Sequence, residues 1–166
     1  MAIERVSLPD MDRRYLVEML VTHEAMTEEE STQVIYELEN YYTGLREGIL
    51  DCGPPAQIDT AFHWHILNTR AYAAFCKNTF NKFIHHTPHW IDSPPTNAEQ
   101  VRCNNQVLLL KDHGVDVRRK DLWKTSQRCG GHRKTHPNLH LRPPGTMCYV
   151  ANPRKRSIFD FDDDNL

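Results

Sequence analysis

Between Ile58 and His89 the chain reads IDTAFHWHILNTRAYAAFCKNTFNKFIHHTPH and gathers His63, His65, Cys76, His85, His86 and His89, six of the fifteen Cys and His residues in 166. Imidazole is the commonest metal ligand and the side chain that titrates nearest neutral pH, so the cluster points to a metal ion or to proton transfer. Residues four apart share a helix face, which sets Asp59 beside His63 and puts His65, Thr69, Tyr72 and Cys76 in a different row. His63 and His65, two apart, point about 200° from each other, so a regular helix cannot offer both to one ion. Two arrangements follow. In the first, Asp59, His63, His85 and His86 converge into a His/carboxylate site of the kind that holds zinc or iron, with His65 and Cys76 as second candidates. In the second, His65 faces inward with Tyr72 and Cys76 as a polar cluster inside the core. A plainer reading stands beside both: a histidine hydrogen-bonded to a carboxylate or tyrosine, and Cys76 as a small buried hydrophobe.

A second set of donors lies in CGGHRKTHPNLH, where Cys129, His132, His136 and His140 are followed by Cys148. The intervals approach zinc-ligand spacing without matching a familiar finger, and a bound ion would order a segment with little apolar content. The plainer reading is a loop that is rich in histidine beside its basic neighbours. Arg154, Lys155 and Arg156, with Phe159 and Phe161 beyond them, form a basic and aromatic stretch suited to a partner surface.

The elements that must position these groups are helical. DMDRRYLVEMLVTHE places Tyr15, Leu16, Met19 and Leu20 at helical spacing. In MTEEESTQVIYELENYYTGLREG, Thr27 and Glu30 form a capping box, Val34, Ile35, Leu38, Tyr41, Tyr42 and Leu45 make one stripe, and Gly48 is the stop. After the turn DCGPPAQ, a third helix is expected from Pro55 or Ala56 to about Phe83. The proline-rich HHTPHWIDSPPTNAEQ leads to a fourth helix ending at Gly114, and a short fifth is expected around Val117 to Gln127. The fold expected is therefore all-α: four or five helices with a central His-rich third helix, then an irregular extended C-terminal arm. The divisions are a helical core at 1–114, a basic Cys/His-containing arm at 115–156 and an acidic tail at 157–166. The interior is expected to hold Leu16, Leu20, Ile35, Leu38, Tyr42, Phe62, Ile66, Tyr72, Phe80, Leu108 and Leu109.

Composition sets the class. Hydrophobic content of 39% and charged content of 25% are those of a globular protein, and the formal net charge is −2. Five widely spaced cysteines with no CxxC pair argue for reduced thiols rather than a disulfide framework, hence an intracellular, reducing compartment. Neither a signal peptide nor a membrane-spanning run is read in the sequence. The small net charge hides an asymmetry: residues 1–51 carry twelve acids and four bases, whereas residues 117–156 carry eleven bases and one acid. A basic arm of this kind meets an acidic partner, either another protein subunit or a nucleic acid.

Residues 55–88, PAQIDTAFHWHILNTRAYAAFCKNTFNKFIHHTP, resemble a segment of the glycine-rich-domain-like family, found in plant glycine-rich domain proteins and short bacterial proteins. The likeness is carried by Pro55, Ile58, Asp59, His63, His65, Ile66, Leu67, Asn68, Tyr72, Phe75, Cys76, Phe80, Ile84, His85, His86 and Pro88. It departs at Phe62, where that family usually has Trp, and at Asn81, where it usually has Gly. The resemblance implies a shared polar or metal-binding centre and names no reaction.

The leading functional expectation is a non-catalytic interaction or assembly subunit built on a helical domain with a His-rich polar or metal-binding centre. The alternative is a metalloenzyme in which zinc or iron, bound by Asp and His, activates water or dioxygen. A second alternative is contact with nucleic acid through the basic arm. Nucleotide-phosphate loops, the Ser-centred elbow and HExxH are all absent from the sequence.

Overall fold

The computed structural model describes residues 3–88, 97–124 and 148–150. Six α-helices account for most of them: α1 (Asp10–Glu24), α2 (Glu28–Arg46), α3 (Ala56–Leu67), α4 (Thr69–Phe80), α5 (Asn97–Asn104) and α6 (Gln106–Asp112). A single 3₁₀ turn spans Lys120–Trp123, and two short strands, β1 (His86–Pro88) and β2 (Cys148–Val150), pair antiparallel with His86 opposite Val150. The protein is thus all-α, as the periodicities predict, with one small ribbon added.

α2 is the central element, and its first turn explains where it begins. Thr27 Oγ1 accepts the Glu30 N–H at 3.1 Å while the Glu30 carboxylate accepts the Thr27 N–H at 2.9 Å, so two orphan donors are satisfied reciprocally. Its apolar face buries Val34, Ile35, Leu38, Tyr41 and Tyr42 against Leu16 and Leu20 of α1 and Ile58, Ala61 and Phe62 of α3. Gly48, at φ +69°, closes the turn after it in the left-handed region that glycine tolerates.

Two carboxylates buried on α2 bind the segments that flank the helices, before and into α1 and after α6. Glu39, 2% exposed, accepts from the Leu8 N–H at 2.9 Å and pairs with Arg5 at 2.7 Å and Arg13 at 2.6 Å. Two guanidiniums and a backbone donor compensate a charge that burial alone would penalise. Glu37, fully buried, accepts the N–H groups of Arg118 and Arg119, the Trp123 indole N–H and the Asn40 amide. Consequently Val115, Val117, Leu122 and Trp123 join the core, which continues past the boundary expected at residue 114.

Three expected helices come out differently. The third is broken at Asn68 (φ −82°, ψ 67°), whose N–H reaches back to the His65 carbonyl and whose own carbonyl starts α4 by accepting the Tyr72 N–H at 2.8 Å. The fourth is broken at Asn105, so the burial phase shifts: Gln106 and Leu110 face inward, Leu109 is half-buried, and Leu108, expected inside, is 60% exposed. Of the expected fifth helix, the described residues up to Lys124 hold the 3₁₀ turn alone, with Glu37 accepting the Arg118 and Arg119 N–H groups just before it. Ile66 and Phe80 are half-buried against the core, and the other interior residues expected are buried.

Candidate metal centre

Asp59 and His63 lie one turn apart on α3, and His86 arrives on β1, so two elements build one site. A donor atom from each lies within 4.8 Å of the others. His63 Nδ1 is 2.6 Å from the Asp59 main-chain carbonyl and 3.3 Å from Asp59 Oδ2, and His86 Nε2 is 3.4 Å from Asp59 Oδ1. A carbonyl oxygen can only accept, so Nδ1 of His63 carries the proton and Nε2 is the ring's acceptor nitrogen. A ring nitrogen that donates to a carbonyl or carboxylate while the other is left for an ion is the usual orientation of a ligating histidine. The two imidazoles meet edge to face, with centroids 4.4 Å apart.

The site is neither sealed nor fully open. Side-chain exposure is 32% at His63, 17% at Asp59 and 11% at His86. Metal bonds of about 2.0–2.1 Å place tetrahedral donors about 3.4 Å apart, so closing this set on an ion takes side-chain rotations of about an ångström. Phe62, whose ring is 5.2 Å from that of His86, is a wall behind the strand. The strand's approach is held by Tyr72, whose hydroxyl donates to the Ile84 carbonyl at 2.6 Å.

The remaining expected ligands are elsewhere. His85 is exposed and its ring rests on Phe83, 4.8 Å between centroids, so it stands apart from Asp59, His63 and His86. His85 lies just before β1 and His86 is its first residue, and of the two only His86 faces Asp59 and His63. His65 is fully buried and belongs to the core: Tyr42 Oη lies 2.8 Å from Nδ1, and Nε2 faces Asp12 Oδ2 of α1 at 3.5 Å. Burial lowers its pKa to about 4, against which the nearby Asp12 carboxylate pulls upward. Cys76 is buried beside Tyr72, and burial pushes its thiol up, which suits a packing residue rather than a ligand. Cys129, His132, His136 and His140, as well as Arg154, Lys155, Arg156, Phe159 and Phe161, lie outside the described residues; of Cys148 the backbone alone is described, in β2.

Sequence reasoning missed Asp12 and Tyr42 as the partners of His65 and missed the pairing of β1 with the arm. Asp12 carries a usable signal in retrospect, an acid on the stripe that also holds Leu16 and Leu20. No helix among the described residues is long and apolar enough to cross a membrane.

Comparison of the whole chain with known proteins corrects the likeness noted for residues 55–88, since no glycine-rich domain family is found. Many of the positions that carried it, Ile58, Tyr72, Phe75 and Cys76 among them, are buried packing positions, which helical cores of different descent can share. No curated protein and no solved structure matches the chain. A family model does match, and because it covers residues 3–119, from the N-terminal segment on α2 to the backbone donors held by Glu37, the chain belongs to the UCP032817-like family.

Proposed function

We propose that the protein is a metalloprotein that holds one divalent transition-metal ion, zinc or iron, through Asp59, His63 and His86, and that the ion keeps coordination positions open to water or a substrate. The observation that carries the reading is the convergence of two imidazoles and one carboxylate from separate elements, with donor atoms within 4.8 Å. Among the described residues three protein donors of this type converge, a set that by itself would leave a fourth position on zinc, and more on iron, to another ligand, which is how catalytic sites differ from closed structural ones. The ion would then act as a Lewis acid toward bound water or dioxygen. This favours the metalloenzyme reading over the assembly subunit, for which a closed four-ligand site is the natural arrangement.

Elemental mass spectrometry of protein purified without an affinity metal tests the proposal. About one ion per chain is expected in the wild type and in His85→Ala, with near-complete loss in His63→Ala and His86→Ala at unchanged circular dichroism. Retention of metal in both variants, or none in the wild type after exposure to zinc or iron(II), would overturn it. Cobalt substitution addresses the open position: added azide should alter the visible absorption spectrum, and an unchanged spectrum would return the site to a closed, structural role.

A further inference from the structure

A cavity of about 200 Å³ lies where the segments before α1 and after α6 flank α2, and none of its lining residues belongs to the metal centre. Ile3 and Arg5 line it from the first segment, Tyr36 and Thr43 from α2, and Val115 and Asp116 from the second. Its volume is below the roughly 300–1,000 Å³ of pockets for drug-sized ligands, so its fit is to a small molecule. Arg5 and Asp116 bring opposite charges to it without pairing with one another. Arg5 Nη1 donates to Glu39 Oε2 at 2.7 Å, and Asp116 Oδ2 accepts from Tyr36 Oη and from Arg118 Nε, each at 3.0 Å. The Arg5 guanidinium also lies over the Tyr36 ring, 3.9 Å from its centroid, so one tyrosine braces both charges. Each of these bonds uses one edge of its group. Nε and Nη2 of Arg5 and Oδ1 of Asp116 hold no hydrogen bond among the described residues, and the two side chains are 34% and 69% exposed, within reach of a solute.

We propose that this cavity binds a small zwitterion, an α-amino acid with a compact apolar side chain such as valine. The ligand carboxylate accepts from the unused guanidinium edge of Arg5, the ammonium donates to Asp116 Oδ1, and the side chain lies against Ile3 and Val115. A simple anion would meet the Asp116 carboxylate, and a simple cation would meet the guanidiniums of Arg5 and Arg118, both of which lie over Tyr36. A molecule carrying both charges escapes both penalties. No metal takes part, so this proposal and the one for Asp59, His63 and His86 can each fail alone.

NMR titration of the full chain, labelled with ¹⁵N and stripped of metal with a chelator, tests the proposal. L-valine should shift the Val115 and Asp116 amides saturably, with a dissociation constant on the order of 1 mM. Isovalerate, which lacks the ammonium, and isobutylamine, which lacks the carboxylate, should each bind at least about tenfold more weakly. Asp116→Asn, at an exposed side chain, should weaken valine binding by a similar factor at unchanged melting temperature. Because amino acids chelate zinc, His63→Ala is the control, and it should bind valine as the wild type does. The comparison of the three ligands uses the wild type alone, so it stands even if a variant unfolds. No saturable shift at about 50 mM valine, equal binding of either analogue, wild-type affinity in Asp116→Asn, or loss of binding in folded His63→Ala would overturn the proposal.

Discussion

At the scale of single residues, α3 carries two histidines with opposite roles, and the environment of each decides which. His65 is sealed between Tyr42, Tyr72 and Phe75 and faces Asp12, so it is neutral at pH 7. In the unfolded chain it would take up a proton near pH 6.5, whereas in the fold it resists until about 4. The unfolded state therefore binds more protons in that window. The contribution of His65 to stability is fully present above pH 6.5, falls as the pH drops toward 4, and levels off below that, a loss of roughly 3 kcal/mol at most. Thermal melts from pH 7 to 4 should show this decline, and His65→Gln should flatten it. An NMR titration in which the His65 ring protonates near 6.5 in the folded protein would refute the assignment. His63, partly exposed and donating to a carbonyl, remains the ligand candidate.

At the scale of elements, two positions decide how helices end and approach. Gly44 lies inside α2, where a Cβ would meet Leu50 Cγ at 2.6 Å and Leu110 Cδ2 at 2.9 Å. Helix propensity alone would make Gly44→Ala stabilising by about 1 kcal/mol, but overpacking costs about 1–3 kcal/mol. Net destabilisation is expected in urea unfolding, and a gain in stability would show that α6 does not pack there as described. Ala25 shows the opposite case. It closes α1 at φ 54°, its N–H bonding the Leu20 carbonyl, and its methyl group has no business in the left-handed region. Ala25→Gly should therefore stabilise the protein by about 0.5–1 kcal/mol, visible as a higher urea midpoint. Asn81, likewise left-handed at φ 54°, needs no such repair, because asparagine tolerates that conformation.

At the scale of the whole molecule, α2 acts as an axle whose two buried carboxylates bind the segments before α1 and after α6. Glu37 alone satisfies two backbone donors, an indole and an amide. Glu37→Ala would leave those donors buried without an acceptor, at a cost of about 3 kcal/mol or more. A red-shifted Trp123 emission and earlier proteolysis after Arg118 are expected. An unaltered melting temperature would mean that the segment is held chiefly by its apolar contacts.

Periodicity made the helices legible because each buries a regular face: the stripe from Val34 to Tyr42 and the Thr27–Glu30 box required nothing beyond local chemistry. The same holds for the opposed directions of His63 and His65, which follow from helical geometry. The sequence alone also determined that Asp59 stands beside His63. Only the tertiary structure decided that His86 joins them and His85 does not, because that depends on how the chain returns after α4 and which face of β1 meets α3. It likewise placed Asp12 against His65 and Glu37 under the backbone of Arg118 and Arg119. Those contacts join residues tens of positions apart, and no local pattern of hydrophobicity or spacing encodes which distant donor a buried carboxylate will find.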